Sequence, residues 1–219
     1  MPTTRRDFVA SLLIIPLAAC SSPEAANDLR ARAVRALRGQ VGWISDERTS
    51  VAKVATSVLH NWEVVDATLA TGTHPRRVIA RIPVSEGTGY ILSGQPANFS
   101  NLLTADQVKL DKPPLALDAG RLFLDTTLGF VGLNYRIDSP ANVRWTPQAS
   151  AAAKKAFTEA WKGKIVKPTP QKVGSAHKLR LWSMHDNELY SHDLMVGFDG
   201  HVSDSAAVQA AGLPTQVGL

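Results

Sequence analysis

The chain has 219 residues, 44% of them hydrophobic, with 24 Lys and Arg against 19 Asp and Glu and a net charge of +5. That length supports one sizeable core, so one domain is expected, and the mild positive excess suits anionic surfaces while falling well short of a nucleic-acid footprint. The one cysteine, Cys20, closes off disulfide frameworks, thiolate zinc sites and iron–sulfur clusters, leaving any metal to rest on the six histidines and on carboxylates.

The first informative stretch is Thr4 to Cys20. Arg5 and Arg6 make a positive start, Phe8 to Ala19 a short apolar run, and Leu17-Ala18-Ala19-Cys20 sets small residues before a thiol. This stretch resembles the twin-arginine lipoprotein signals of bacteria, in which Ser/Thr-Arg-Arg-x-Phe-Leu precedes an apolar run and a Leu-Ala-Gly/Ala-Cys lipobox; Val9 stands where the pattern has Leu. The resemblance implies export in the folded state directed by Arg5, Arg6 and Phe8, removal of residues 1–19, diacylglycerol on Cys20 and acylation of the new amino terminus. The competing reading is a membrane-spanning anchor, but about 12 apolar residues fall short of the ~20 a bilayer needs. Loss of residues 1–19 removes Arg5, Arg6 and Asp7, which leaves 22 basic against 18 acidic side chains and a mature charge of +4. Ser21 after the cysteine resembles the outer-membrane sorting pattern of Gram-negative lipoproteins, so the expected place is the periplasmic side of the envelope, anchored in the outer membrane.

Residues 20–27 are small and polar and read as a lipidated tether, with one domain over 28–219. Asp28 to Arg38 reads as a helix with Leu29, Ala33, Ala36 and Leu37 on its inner face, and its arginines can rest on anionic head groups. A second helix is expected from Asp46 to His60, since Val51, Val54, Ala55, Val58 and Leu59 recur at helical spacing behind an Asp cap. From Glu63 the period is two: a strand runs through Val78, Ala80, Ile82 and Val84, and another from Gly89 to Ser93, joined through Gly87-Thr88-Gly89. Arg76 and Arg77, after His74-Pro75, are candidates for holding an anionic ligand.

Gly94 to Pro114 reads as a long apolar loop with a short helix begun by a Thr104-x-x-Gln107 capping box. Phe99, Leu102 and Leu103 within it are candidates for covering a ligand site, against the plainer alternative of wrapping the core. Strands are expected at Gly120 to Thr126 and Leu128 to Ile137. A helix follows, capped by Thr146 with Pro147 at its first position and Ala153, Ala156, Phe157, Ala160 and Trp161 on one stripe, and then an extended connection from Lys164 to Ser175.

Met184 to Asp193 holds the densest polar cluster. A turn at Asp186 to Leu189 would set His185 opposite Tyr190 and Ser183 opposite His192, placing the two histidines on one buried face as candidate metal ligands, with Asp186 or Glu188 as base. A third ligand, such as His60 or His74, would be required, so structural roles lead. Phe198 to His201 forms the next turn, with His201 opposite Phe198, and Ser205 to Ala211 reads as a final helix. Ser175-x-x-Lys178 lacks the companion motifs of penicillin-binding enzymes, and the chain contains no Gly-x-Ser-x-Gly, Walker loop or His-Glu-x-x-His.

These elements give an α+β fold, a largely antiparallel sheet with helices packed on one face. The expected function is that of a membrane-anchored envelope lipoprotein with a non-enzymatic binding role. Its partners would be membrane lipid through acylated Cys20 and a small apolar or anionic ligand or an envelope protein. The alternatives are a metal-assisted hydrolase using a divalent metal on His185 and His192, and a structural assembly subunit.

Overall fold

A computed structural model describes residues 23–70, 76–129 and 133–216. Arg5, Arg6, Phe8, Cys20 and His74 therefore lie outside the described residues. Helix α1 (Pro23–Leu37) begins within the expected tether, with proline in its first turn, where a missing N–H costs nothing. Its stripe of Leu29, Ala33, Ala36 and Leu37 packs on Val65, Ala67, Val78, Ala80 and Ile82 of the first sheet. Arg30 and Arg32 turn inward: Arg30 donates to the Asp46 carbonyl at 2.9 Å, and Arg32 pairs with Glu63 at 2.5 Å and Asp28 at 3.2 Å. Arg35 in α1 and Arg38 just past its end are left exposed.

The first sheet is antiparallel in the order β1-β2-β3-β4, from strands β1 (Thr49–Val54), β2 (Trp62–Leu69), β3 (Arg76–Pro83) and β4 (Tyr90–Ile91). Strand β1 occupies ground read as helix. Its β-branched Thr49 and Val51 also fit a period of two, and pairing with β2 decides between the periods.

Where a long loop and a strand were expected, two helices form: α2 (Pro96–Ala105) and α3 (Pro113–Thr127), each with proline in its first turn. Thr104 sits in the last turn of α2 and Gln107 takes φ 55, so the expected capping box does not form. In α3, Ala116, Ala119, Gly120, Phe123 and Thr127 are buried at helical spacing. Gly120 is there for close approach, since a Cβ would lie 2.6 Å from Leu179 Cδ1. Helices α2 and α3 lie between two sheets, joining Val64 and Ile79 of the first to Leu179, Leu181, Leu194 and Val196 of the second. Phe99 and Phe123 meet edge to face at 5.4 Å in that core.

The second sheet has the order β5-β7-β8-β9, with β6 on the same edge of β7 as β5, from strands β5 (Asn134–Ile137), β6 (Gln171–Val173), β7 (Ala176–His185), β8 (Glu188–Gly197) and β9 (Val202–Ala210). Its far face is covered by α4 (Ala151–Trp161), through Phe157 and Trp161 against Trp182, Met184 and Leu189. Ser150, not Thr146, caps α4, accepting the Ala153 N–H at 3.1 Å. The segment read as a final helix is β9, whose register with β8 runs from Val196↔Val202 to Leu189↔Ala210. The architecture is α+β, with the antiparallel strands divided between two sheets.

Two turns differ from expectation. The β7–β8 turn has only Asp186 and Asn187 between paired His185 and Glu188, with Asp186 at φ 48, a conformation Asp tolerates. This sets Tyr190 opposite Ser183 and His192 opposite Leu181. In the β8–β9 turn Gly200 takes φ 90 and Gly197 donates to the His201 carbonyl at 2.7 Å, so His201 opposes Gly197 instead of Phe198.

Candidate functional site

The residues singled out in the sequence do not converge. Phe99, Leu102 and Leu103 are fully buried in the core between the sheets, so they wrap the core as the plainer alternative held. Arg76 is exposed at the start of β3, while Arg77 forms a two-pronged pair with Asp66 at 2.9 and 2.6 Å. Asp186 accepts the Leu133 N–H at 2.7 Å and its carbonyl accepts from Thr215 at 2.7 Å, which pins the hairpin turn. Glu188 accepts the Tyr190 hydroxyl at 2.8 Å, a bond that pushes the phenol's pKa up.

The two histidines named as candidate metal ligands are not brought together. His185 and His192 share a face, but four strand residues, about 13 Å at ~3.3 Å each, separate His192 from Glu188, the partner of His185. The ring of Tyr190 stands between them, 6.1 Å from His185 and 6.3 Å from His192. Both ring nitrogens of His192 are already engaged. Among the described residues no group of three His, Cys, Asp or Glu side chains is placed to hold a metal.

What engages His192 was missed in the sequence. Its Nδ1 lies 2.7 Å from Asp204 Oδ2 and its Nε2 lies 2.8 Å from Ser183 Oγ. A carboxylate only accepts, so in the neutral ring Nδ1 carries the proton and donates, which leaves Nε2 to accept from the Ser183 hydroxyl. Three adjacent strands, β7, β8 and β9, supply one residue each. Ser183 and His192 are 2% and 3% exposed, and the Asp204 side chain 19%. The signal lay in alternation along all three strands, hidden by the misplaced turn and by reading β9 as helix.

The opposite face of the same strands carries a basic cleft of about 400 Å³. Its walls are the connection through Lys164, Val166, Lys167 and Pro168 and the β7 side chains Lys178 and Arg180, and its floor is Trp182. Arg180 and Asp193, directly opposite in register, form a two-pronged pair at 2.8 Å, with Lys178 Nζ 3.9 Å from the same carboxylate. The bond from Arg180 pulls the Asp193 carboxyl below its usual range. Lys164 lies 4.8 Å over the Trp161 ring. Lys164, Lys167, Lys178 and Arg180, set against the one carboxylate of Asp193 that pairs with Arg180 and Lys178, leave a net of three positive charges around one concavity.

A third unusual group is Arg81, clamped between the rings of Trp62 and Tyr90 at 4.5 Å each. Its Nε and Nη1 are buried without a hydrogen-bond partner, and burial pushes the guanidinium pKa down. Facing rings replace part of the lost hydration through their negative π faces.

Comparison of the chain with protein-family models, with curated proteins and with solved structures finds no match. The functional reading therefore rests on the residues themselves.

Proposed function

We propose that this chain is a lipid-anchored protein of the bacterial envelope whose domain binds an anionic ligand, without chemistry, in the cleft over Trp182. The observation that carries the reading is the charge around that cleft: Lys164, Lys167, Lys178 and Arg180 converge on a concavity whose floor is an indole. Clefts lined by one sign of charge focus the field and raise the local concentration of the opposite ion. Val166 and Pro168 beside Trp182 add apolar surface. The fitting ligand is thus an acidic group, phosphate or carboxylate, joined to an apolar ring or chain. The anchor rests on the Thr4 to Cys20 pattern.

The test uses octyl phosphate as probe, titrated into the purified chain and followed by isothermal calorimetry. Saturable binding that weakens at least ~10-fold in Lys167→Glu/Lys178→Glu, and weakens with added salt, supports the cleft. Equal affinity in wild type and charge-reversed chain would overturn it. Membrane fractionation of cells making the Cys20→Ser chain tests the anchor separately: loss from the membrane pellet is expected, and unchanged retention counts against lipidation.

A further inference from the structure

We infer that Ser183, His192 and Asp204 form an acyl-transfer site, with Ser183 as nucleophile, His192 as general base and Asp204 as the positioning residue. The distances satisfy the two geometric conditions for an activated serine: the base within hydrogen-bond reach of the nucleophile, at 2.8 Å, and an orienting carboxylate on its other nitrogen, at 2.7 Å. The relevant tautomer is fixed by Asp204, which can only accept. Such a set is recognised by geometry and roles, not by sequence order, and here the order is Ser, His, Asp.

The substrate class follows from the surroundings. Leu181 and Leu194 flank the relay on its face, and a depression of about 370 Å³, lined by Phe123 and Val202 with polar Ser100, Asn101 and Ser203, reaches the relay only at Asp204, two strands away from Ser183. The apolar side chains beside Ser183 and His192 match an uncharged ester of an apolar acid. In the step, Ser183 Oγ bonds to the ester carbonyl carbon as its proton passes to His192 Nε2, and the carbonyl π pair moves to oxygen. The tetrahedral species collapses with cleavage of the carbon–alkoxy bond, the alcohol leaving with the proton from Nε2. Water then repeats the sequence, releasing the acid and restoring the serine. Arg136, in register with Ser183 on β5, brings a guanidinium to the same face, held by Asp125 and Asp138 at 3.1 and 2.8 Å.

Ser183 is covered. The residue directly opposite it is Tyr190, half-buried, whose hydroxyl is held by the bond to Glu188. The acyl-transfer step requires Ser183 to be uncovered, and rotation of the Tyr190 side chain is the movement tested for it.

The experiment treats the purified full-length chain with an alkyl fluorophosphonate, from which Ser183 displaces fluoride, and locates the adduct by tandem mass spectrometry. The expected result is one adduct on Ser183, absent in Ser183→Ala, formed about 10²-fold more slowly in His192→Gln and faster in Tyr190→Ala. Asp204, on an exposed edge strand, gives variants that leave the buried residues in place. Asp204→Asn is expected to slow labelling at least ~10-fold and Asp204→Glu to restore most of it, a difference that a purely structural role would not produce. An adduct on Ser183 only in Tyr190→Ala still supports the site. The inference is overturned if neither wild type nor Tyr190→Ala, both with native circular dichroism, is labelled at Ser183, or if labelling is indifferent to Asp204→Asn. Either failure leaves the basic cleft untouched, because it opens on the other face.

Discussion

Asp106, just past the end of α2, carries a side chain with no solvent exposure, and it ties that helix to the connection between β1 and β2. Its Oδ2 accepts the His60 N–H at 2.6 Å and its Oδ1 accepts the Asn61 N–H at 2.7 Å. Hydrogen bonds to a charged group are worth about 1.5–3 kcal/mol each, and two of them give roughly 3–6 kcal/mol at stake. Asp106→Ala leaves both N–H groups without their acceptor, while water entering the vacated volume recovers part. A net loss of about 3–4 kcal/mol is therefore expected. At a urea slope of ~2 kcal/mol per molar this lowers the unfolding midpoint by about 1.5–2 M, read by tryptophan fluorescence. Asp106→Asn separates charge from shape: one amide oxygen still accepts, but the NH₂ then faces an N–H, so at least half the loss should remain. An alanine variant within 1 kcal/mol of wild type, or an asparagine variant of unchanged midpoint, would refute this account of how the first sheet is held to the central helices.

Two other perturbations test the fold. At Gly89 an added Cβ would lie 2.8 Å from the Arg81 carbonyl oxygen and 2.7 Å from Leu37, beside the bond from Gly89 N to Ala36 O, whereas at Gly39 it would meet nothing within 4 Å. Thermal melts should show Gly89→Ala losing about 1–3 kcal/mol and Gly39→Ala nearly neutral, and equal effects would mean that the α1 packing is misplaced. The side-chain hydrogen bond from Arg48 pulls the Asp46 carboxyl from 3.8 to about 2. A depressed carboxylate stabilises the fold fully above its unfolded pKa, and that contribution is lost as pH falls through the folded value. Between about pH 4 and 2 the wild type should therefore lose stability that Asp46→Asn never had, and parallel acid titrations of the two would count against the pair.

How much was legible in the sequence varied with how many constraints each segment carried. In α1 the apolar stripe and the stop at Gly39 agree, and in α4 the aromatic stripe and the polar run before it agree, so both helices were found with ends displaced by a few residues. Segments where two periods fit equally were misread. Leu122, Leu124 and Thr126 alternate as a strand would, but Ala116, Ala119 and Phe123 satisfy the helical period, and burial against both sheets decides for the helix. Ala206, Ala207 and Ala210 favour a helix locally, yet β8 offers an unpaired edge, and the ladder outweighs propensity. The hairpin register was displaced by two residues, which preserves the face of every side chain while changing its partner. Hence His192 was placed correctly on the buried face and wrongly opposite Ser183. The relay needs both that register and β9 as a strand, and no local pattern supplies them.

The two candidate sites are consecutive residues of the same strands. Trp182 floors the basic cleft while Ser183 enters the relay, and Asp193 neutralises Arg180 while His192 binds Asp204. Strand geometry sends neighbours to opposite faces, so side-chain substitutions on one face leave the other chemically intact. The backbone is shared. A change that shifts the β7–β8 register by one residue would exchange the faces and abolish both sites at once, whereas Lys178→Glu or Ser183→Ala should act on one alone. That separability makes the binding and acyl-transfer readings independent: loss of both functions in a single-face variant would point to unfolding of the hairpin and not to the removal of either site.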